Sequence, residues 1–300
     1  MGQIRHHYLK IVTGVAVIVF AEVIVVLVLL MQGKTFAILQ PAGAIARQQK
    51  DLLLFASALS LLVVIPVFVL LGFILWRYRD GNTNATYRPN WDGSKRLESI
   101  WWGFPIAIII VLAVVTYQTS HSLDPYRPLA SDKAPVRVQV VSLQWKWLFI
   151  YPDQNIATIN YLQIPEDRPI NFEITSDAPM NSFWIPQLGG QVYAMTGMRT
   201  KLHLIADEPG KYVGKSANIS GEGFAGMQFD VVSTTDKEFD RWVLETSEQP
   251  GLTKNTYEEL RAPSEDVPAS VYSIKDKALF ETIIAGYSHK SSTDQRKAVH

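Results

Sequence analysis

The sequence predicts a membrane-anchored protein in which bilayer-crossing helices lead into an all-β domain, and three observations carry that expectation. Its apolar residues gather in three runs within the first 118 positions. Beyond them the chain turns polar and alternating, as in Val136, Val138 and Val140 with Arg137 and Gln139 between. Gly, Pro and Asp then punctuate the alternation at short intervals, the pattern of a sandwich or barrel.

The helices come first. Leu52 to Trp76 carries no charge, and Ile100 to Tyr117 is apolar with Trp101, Trp102 and Tyr117 at its ends. Each run is close to the roughly 20 residues that a helix needs to cross about 30 Å of hydrocarbon. Pro66 and Pro105 fall inside these patterns, where a membrane bundle tolerates the lost backbone bond if neighbours satisfy the freed carbonyl. Residues 36–123 are thus read as a transmembrane hairpin with spans near 52–76 and 100–117. The first run, Ile11 to Met31 within residues 1–35, has Glu22 as its one charge and follows Arg5, His6, His7 and Lys10. It reads either as a first transmembrane helix or as a secretory signal. Its length favours a helix, and the AxA-like Ala44, Ile45 and Ala46 lie well past its end. Arg77, Arg79, Arg88, Lys95 and Arg96 crowd the loop between the later spans, which places that loop in the cytoplasm and everything after Tyr117 on the opposite side.

Residues 124–234 form the predicted β domain. A Pro-rich connector from Asp124 to Pro135 precedes strands expected at Val136 to Val140, Ile156 to Ile164, Ile170 to Thr175, Thr200 to Ile205, Lys211 to Val213 and Met227 to Ser233. The extension 235–300 reads as short helices over Asp236 to Glu248, Thr256 to Arg261 and Lys275 to Tyr287. The formal net charge of zero gives no reason to expect nucleic acid as a partner. The absence of Cys excludes disulfides, thiolate metal sites, thiol nucleophiles and lipidation on Cys. The six His are scattered without convincing ligand spacing, and no glycine-rich phosphate loop or hydrolase triad is present.

Residues 216–227 read SANISGEGFAGM, preceded by the lead-in EPGKY, and Asn181 opens NSFWIPQLGG. Ser, Asn and Gly are ordinary turn formers, so SxxxS alone signals only a crossover between strands. In order and spacing, however, these segments resemble the dinuclear copper site of cytochrome c oxidase subunit II, where a His precedes the SFWIP-like segment and the later loop supplies two Cys, a His and a Met. Asn181, Ser216, Asn218, Ser220, Phe224 and Met227 occupy that layout here, and Met227 is the one side-chain ligand that remains. A bridged copper pair needs soft thiolates and imidazoles. The pattern therefore resembles subunit II of ubiquinol oxidases of the cytochrome bo type.

That resemblance runs from about residue 40 to 290 and implies a cupredoxin-like Greek-key barrel for the β domain. It also implies membership of a bacterial inner-membrane complex that reduces dioxygen with quinol electrons and pumps protons. Hemes and copper are then expected in partner subunit I, with no cofactor and no catalytic residue in this chain, ubiquinol as substrate of the assembly, and the C-terminal domain in the periplasm. Trp145 and Trp147, in QWKWLFIY, resemble the aromatic patch where electrons enter cytochrome c oxidases, although a buried strand accounts for the same residues. Glu98, in KRLESIWW, matches a subunit II Glu at the mouth of a proton route, or else is an interfacial residue paired with Lys95 and Arg96. Two alternatives remain: an electron-transferring cytochrome c oxidase subunit, and a membrane-tethered periplasmic copper carrier using Met180, Met195, Met198 and Met227.

Overall fold

The computed structural model describes residues 36–79, 82 and 93–287. The first apolar run with Glu22, together with His6, His7 and Arg88, lies outside those residues. Two long helices, α1 (Ala44–Arg77) and α2 (Lys95–Ser122), contain the two later apolar runs and continue beyond them through polar turns. Pro66 and Pro105 lie inside them without ending either helix. The Ser94 hydroxyl caps α2 by accepting from the Leu97 N–H at 3.5 Å, and at the far end the hydroxyls of Thr119, Ser120 and Ser122 donate back to carbonyls three or four residues earlier. Among the described residues, none in the most apolar window of either helix is buried. With Phe68, Ile100 and Trp101 each about two-thirds exposed, these helices fit lipid or partner helices rather than water.

The start of α1 is built into the β domain. Ala42 N–H donates to Gln187 O at 2.8 Å, Asp207 N–H donates to Ala42 O at 2.9 Å, and Arg47 pairs with Asp207. Gly43 makes this approach possible, because a Cβ there would lie 2.5 Å from the Ile205 carbonyl oxygen and 3.0 Å from that of Leu188. Ala44, Ile45 and Ala46 thus form the first helical turn, with Ala46 buried.

The domain is a two-sheet sandwich of β1 (Val136–Leu143), β2 (Lys146–Tyr151), β3 (Ile156–Ile159), β4 (Tyr161–Pro165), β5 (Ile170–Ser176), β6 (Asn181–Trp184), β7 (Val192–Ala194), β8 (Thr200–Leu204), β9 (Gly210–Ser216), β10 (Gln228–Thr234) and β11 (Ser270–Ser273). The sheet orders are β11-β3-β2-β1-β5-β8 and β4-β10-β9-β6-β7. The pairs β1–β5 and β4–β10 are parallel and the others antiparallel. Ile156 to Ile164 is not the single strand its composition suggests. Asn160 breaks it at φ 50°, and the chain crosses from one sheet to the other. Asn160 is fixed in that turn by its backbone N–H on Trp147 O at 2.9 Å and by its side-chain oxygen accepting from Trp147 N–H at 2.8 Å.

Phe183 lies at the centre of the inter-sheet core, with its ring stacked on Phe229 at 5.3 Å and packed on Trp147, Phe149 and Phe172. Gly214 faces Phe229 across β9–β10, and a Cβ there would fall 2.0 Å from the ring. A second core forms on the outer face of the larger sheet, where Val141, Leu143, Leu148 and Ile150 meet Leu252, Tyr257, Phe280 and Ile283. This is why β2 is buried at every position and the alternation of β1 fades after Val140: the tail covers the face that would otherwise be wet.

The tail comprises α3 (Asp236–Ser247), α4 (Lys254–Arg261), the strand β11, which sequence patterning did not reveal, and a helix α5 over 279–287. α3 opens on a Thr235/Glu238 capping box. Two buried charges tie the tail down. The Asp177 carboxylate accepts from the Tyr257 and Tyr287 hydroxyls and from Arg261 Nε at 3.1 Å. Lys146, 1% exposed, donates from Nζ to the carbonyls of Leu260 and Ala262, each at 2.8 Å, and to the Ser264 hydroxyl, so it caps the end of α4. Burial lowers the Lys146 pKa below the ordinary lysine value. Lys146→Met should destabilise the domain by about 1–3 kcal/mol, because buried acceptors lose a charged donor. Urea unfolding of the full chain in mild detergent measures this, and limited proteolysis should show new cleavage between residues 248 and 275 ahead of any cleavage in the sandwich. An unchanged midpoint and digestion pattern would mean that apolar packing alone holds the tail.

Candidate functional site

Asn181 and Ser216 meet because β6 and β9 are paired: Ser216 sits opposite Phe183 in the register, two residues along β6 from Asn181. Both are buried, and the Ser216 hydroxyl donates to Asn181 Oδ1 at 2.7 Å. Asn181 Nδ2 in turn donates to Pro179 O at 3.0 Å. Beyond β9 the chain leaves the sheet as a loop whose contacts are largely backbone. Ala217 N–H donates to Ser182 O at 2.9 Å, and the Asn218 side-chain amide donates to Met180 O at 2.9 Å. A 3-10 turn over Glu222–Gly226 carries Phe224, which is half-buried, and delivers Met227 to the core at 1% exposed. Met227 O accepts from Ser216 N–H at 3.1 Å, which closes the loop on its first residue. A shallow cleft of about 380 Å³ borders Ser216, Phe224 and Met227, with Lys215 over the Trp184 ring at 5.0 Å on its wall.

Trp145 and Trp147 have separate environments. Trp147 is fully buried in the inter-sheet core. Trp145 occupies the β1–β2 turn at φ 62°, an unfavourable conformation for an aromatic residue, and is half-buried. Its ring lies on the loop: Nε1 donates to Ser220 O at 3.2 Å, and Cβ atoms added at Gly221 and Gly223 would come within 3.1 Å and 2.5 Å of the indole. Gly221, at φ 116°, is also in a backbone region that side chains avoid. Sequence reasoning missed this clamp, for which the available signal was the Gly221/Gly223 pair. It also missed Lys146, whose signal was a lone charge in an aromatic strand.

The structure does not bring Glu98 to this loop. Glu98 lies in the first turn of α2, some 24 residues or about 36 Å of helix from Ser122. Its carboxylate is exposed and covers Gly93, where a Cβ would be 2.9 Å from Oε1. Neither Lys95 nor Arg96 forms an ion pair with it among the described residues, contrary to the pairing their spacing suggested.

Family models match the chain in three consecutive segments. Residues 32–119 match the transmembrane domain of cytochrome c oxidase subunit II, residues 154–234 its periplasmic domain, and residues 247–291 the COX aromatic rich motif. The cytochrome bo(3) ubiquinol oxidase subunit 2 of Pseudomonas putida is 50% identical over 86% of this chain and 83% of its own length. That of Pseudomonas aeruginosa is 47% identical over 91% and 82%, and the ubiquinol oxidase subunit 2 of Acetobacter aceti is 46% identical over 89% and 88%. The chain belongs to the ubiquinol oxidase subunit 2 family. It is a subunit of a heme-copper oxidase assembly, with a membrane anchor and a cupredoxin-like periplasmic domain.

The donors at the loop of this ubiquinol oxidase subunit do not fit the copper pair that the wider family's layout suggests. Ser216 and Asn181 are engaged with each other, Phe224 has no lone pair to offer, and Met227 is the one soft donor of the six positions. Copper titration should leave the unfolding midpoint of the chain unchanged, whereas Asn181→His, Ser216→Cys, Ser220→Cys and Phe224→His together, with Met227 kept, should create a copper centre with strong thiolate-to-copper absorption. Stoichiometric coloured copper in the wild type would overturn this view of the donors. A folded quadruple variant that takes up no copper would show that the loop has lost the shared scaffold as well as the ligands.

Proposed function

We propose that this chain is a non-redox subunit of a proton-pumping ubiquinol oxidase in a bacterial inner membrane, with hemes and copper held by the catalytic subunit. Support for the non-redox role comes from the Ser216–Asn181 hydrogen bond, which engages two of the loop's polar side chains with each other. With no electron acceptor at the loop, Trp145 serves as a clamp on its glycine backbone and not as an electron entry point. The chain's work is then mechanical and electrostatic. α1 and α2 pack their bare apolar faces on the catalytic subunit, and the sandwich caps its outer side. The assembly should oxidise quinol and leave reduced cytochrome c untouched when both are assayed on one preparation. Oxidation of cytochrome c at a comparable rate would favour an electron-transferring subunit instead.

Orientation is testable because the chain has no background thiols. Ser94→Cys should react with an impermeant maleimide only from the cytoplasmic side of oriented vesicles, and Lys237→Cys only from the opposite side. Labelling of both from one side would contradict a single crossing by α2 between them.

Glu98 is proposed to collect protons at the cytoplasmic end of α2. An exposed carboxylate with no ion pair among the described residues exchanges protons with water and can pass them to a neighbouring route. Glu98→Ala should slow turnover per heme by about tenfold or more while heme content stays normal, and Glu98→Asp should be milder. A purely structural Glu98 would instead lower the yield of assembled complex and leave turnover per heme intact.

A further inference from the structure

A cavity of about 350 Å³ opens where the two helices join the sandwich, lined by the first turns of α1, the connector after α2, and the barrel around Gln191 and His203. Its depth relative to a bilayer follows from the helix itself. The apolar run of α1 starts at Leu52, and Gln49, which lines the cavity, is three residues or about 5 Å before it. Phospholipid headgroups extend about 5–7 Å beyond the hydrocarbon on each side. The cavity therefore opens at headgroup depth.

Its lining suits a zwitterion. Arg127 and Asp124 bring opposite charges to the same wall, and neither is in an ion pair among the described residues. A turn fixes both, with Arg127 N–H on Asp124 O at 3.0 Å and Tyr126 N–H on Asp124 Oδ1 at 2.9 Å. On the barrel side, His203 is 8% exposed, and its Nδ1 is bonded to Asn171 Oδ1 at 2.7 Å. With Nδ1 donating there, the ring's other nitrogen, Nε2, is left as an acceptor, and His203 is one of the residues that line the cavity. Burial, with Lys201 nearby, lowers the His203 pKa and favours the neutral ring. The Gln49 amide is packed over Gly190, where a Cβ would come within 2.9 Å of it. Below the cavity, no residue in the apolar windows of α1 and α2 is buried among the described residues.

We propose that this cavity binds the headgroup of a phospholipid of the barrel-side leaflet that carries a primary ammonium beside its phosphate: Arg127 takes the phosphate, Asp124 and His203 take the ammonium, and the acyl chains run down α1 and α2. The inference requires only that the chain spans a bilayer, whatever the assembly oxidises. Arg127 gives a phosphodiester the fork geometry it prefers, and Asp124 distinguishes an ethanolamine-type headgroup from an anionic one by repelling the latter.

The purified complex, washed in detergent, should retain one more phosphatidylethanolamine per subunit than a complex carrying Arg127→Ala and Asp124→Asn, as measured by native mass spectrometry and lipid extraction. Adding back phosphatidylethanolamine vesicles should restore that lipid in the wild type, phosphatidylglycerol vesicles should not, and millimolar glycerophosphoethanolamine should not displace it. Arg127→Lys, which keeps the charge but loses the fork, should retain less of it than the wild type and more than Arg127→Ala. A photocrosslinker at Gln191 in the otherwise wild-type complex gives a readout independent of the variants' assembly and should capture phospholipid. Equal retention in wild type and double variant, retention of phosphatidylglycerol in its place, displacement by the soluble headgroup, or crosslinking to another polypeptide would each overturn the proposal.

Discussion

The packing of Phe183 between the two sheets is the contact on which the rest of the domain depends. Its ring stacks on Phe229 from the same sheet and meets Trp147, Phe149 and Phe172 from the other, so it closes the sandwich at its centre. Because side chains alternate along a strand, fixing Phe183 inward also fixes its neighbours. The register then sets Ser216 opposite Phe183, and Asn181, two residues earlier, is brought within hydrogen-bonding distance of the Ser216 hydroxyl. The loop site is thus anchored on the hydrophobic core. Gly214 belongs to the same constraint, since only a residue without a side chain leaves room for Phe229 across the strand pair.

A ligand-bearing loop can be organised by its metal, but on the proposed reading this one takes its order from protein contacts. Trp145 supplies it from outside the loop. Holding a tryptophan at φ 62° costs backbone energy of about 1–2 kcal/mol, which the ring offsets by covering Gly223 and accepting confinement against Gly221 while its N–H satisfies the Ser220 carbonyl. The tail adds a second layer of constraint, because Lys146, one residue on from Trp145, is locked into the end of α4. The β1–β2 turn therefore links the loop on one side to the C-terminal helices on the other, and a change in either reaches the other through two adjacent residues.

What was legible in the sequence follows this physics. Apolar length announced α1 and α2, since spanning hydrocarbon demands a long uninterrupted run and little else has that signature. The NSFWIP and SANISGEGFAGM segments could be read because their order and spacing are fixed by one strand pair. Strand limits were less legible where the tail buries the outer face: β1 and β2 lose their alternation once both faces are covered. The break at Asn160 was hidden because apolar residues flank it on both sides from Ile156 to Ile164, and the switch of sheet depends on hydrogen bonds to Trp147, thirteen residues away in sequence. β11 was hidden for the same kind of reason, being a short edge strand that pairs with β3 more than a hundred residues earlier. Lys146 and Trp145 could be seen as residues but not as contacts, since their partners lie 75 to 118 positions away.

On the proposed reading of a loop without copper, these constraints also account for how a cupredoxin-like domain keeps its loop ordered. A site that binds metal must keep its donors deprotonated or neutral, correctly spaced and partly open, which limits how well the surrounding loop can pack. With Ser216, Asn181 and Phe224 at those positions that requirement falls away, and the Ser216 and Asn181 side chains hydrogen-bond inside the protein, while the buried Ser220 hydroxyl has no partner among the described residues. The loop's remaining obligation is its outward shape. Ile219, 81% exposed at its tip, and Met180, about half exposed beside it, present an apolar edge that a lone soluble domain gains nothing from displaying. An edge of this kind suits contact with a neighbour in an assembly, just as the exposed apolar residues of α1 and α2 suit lipid and other helices.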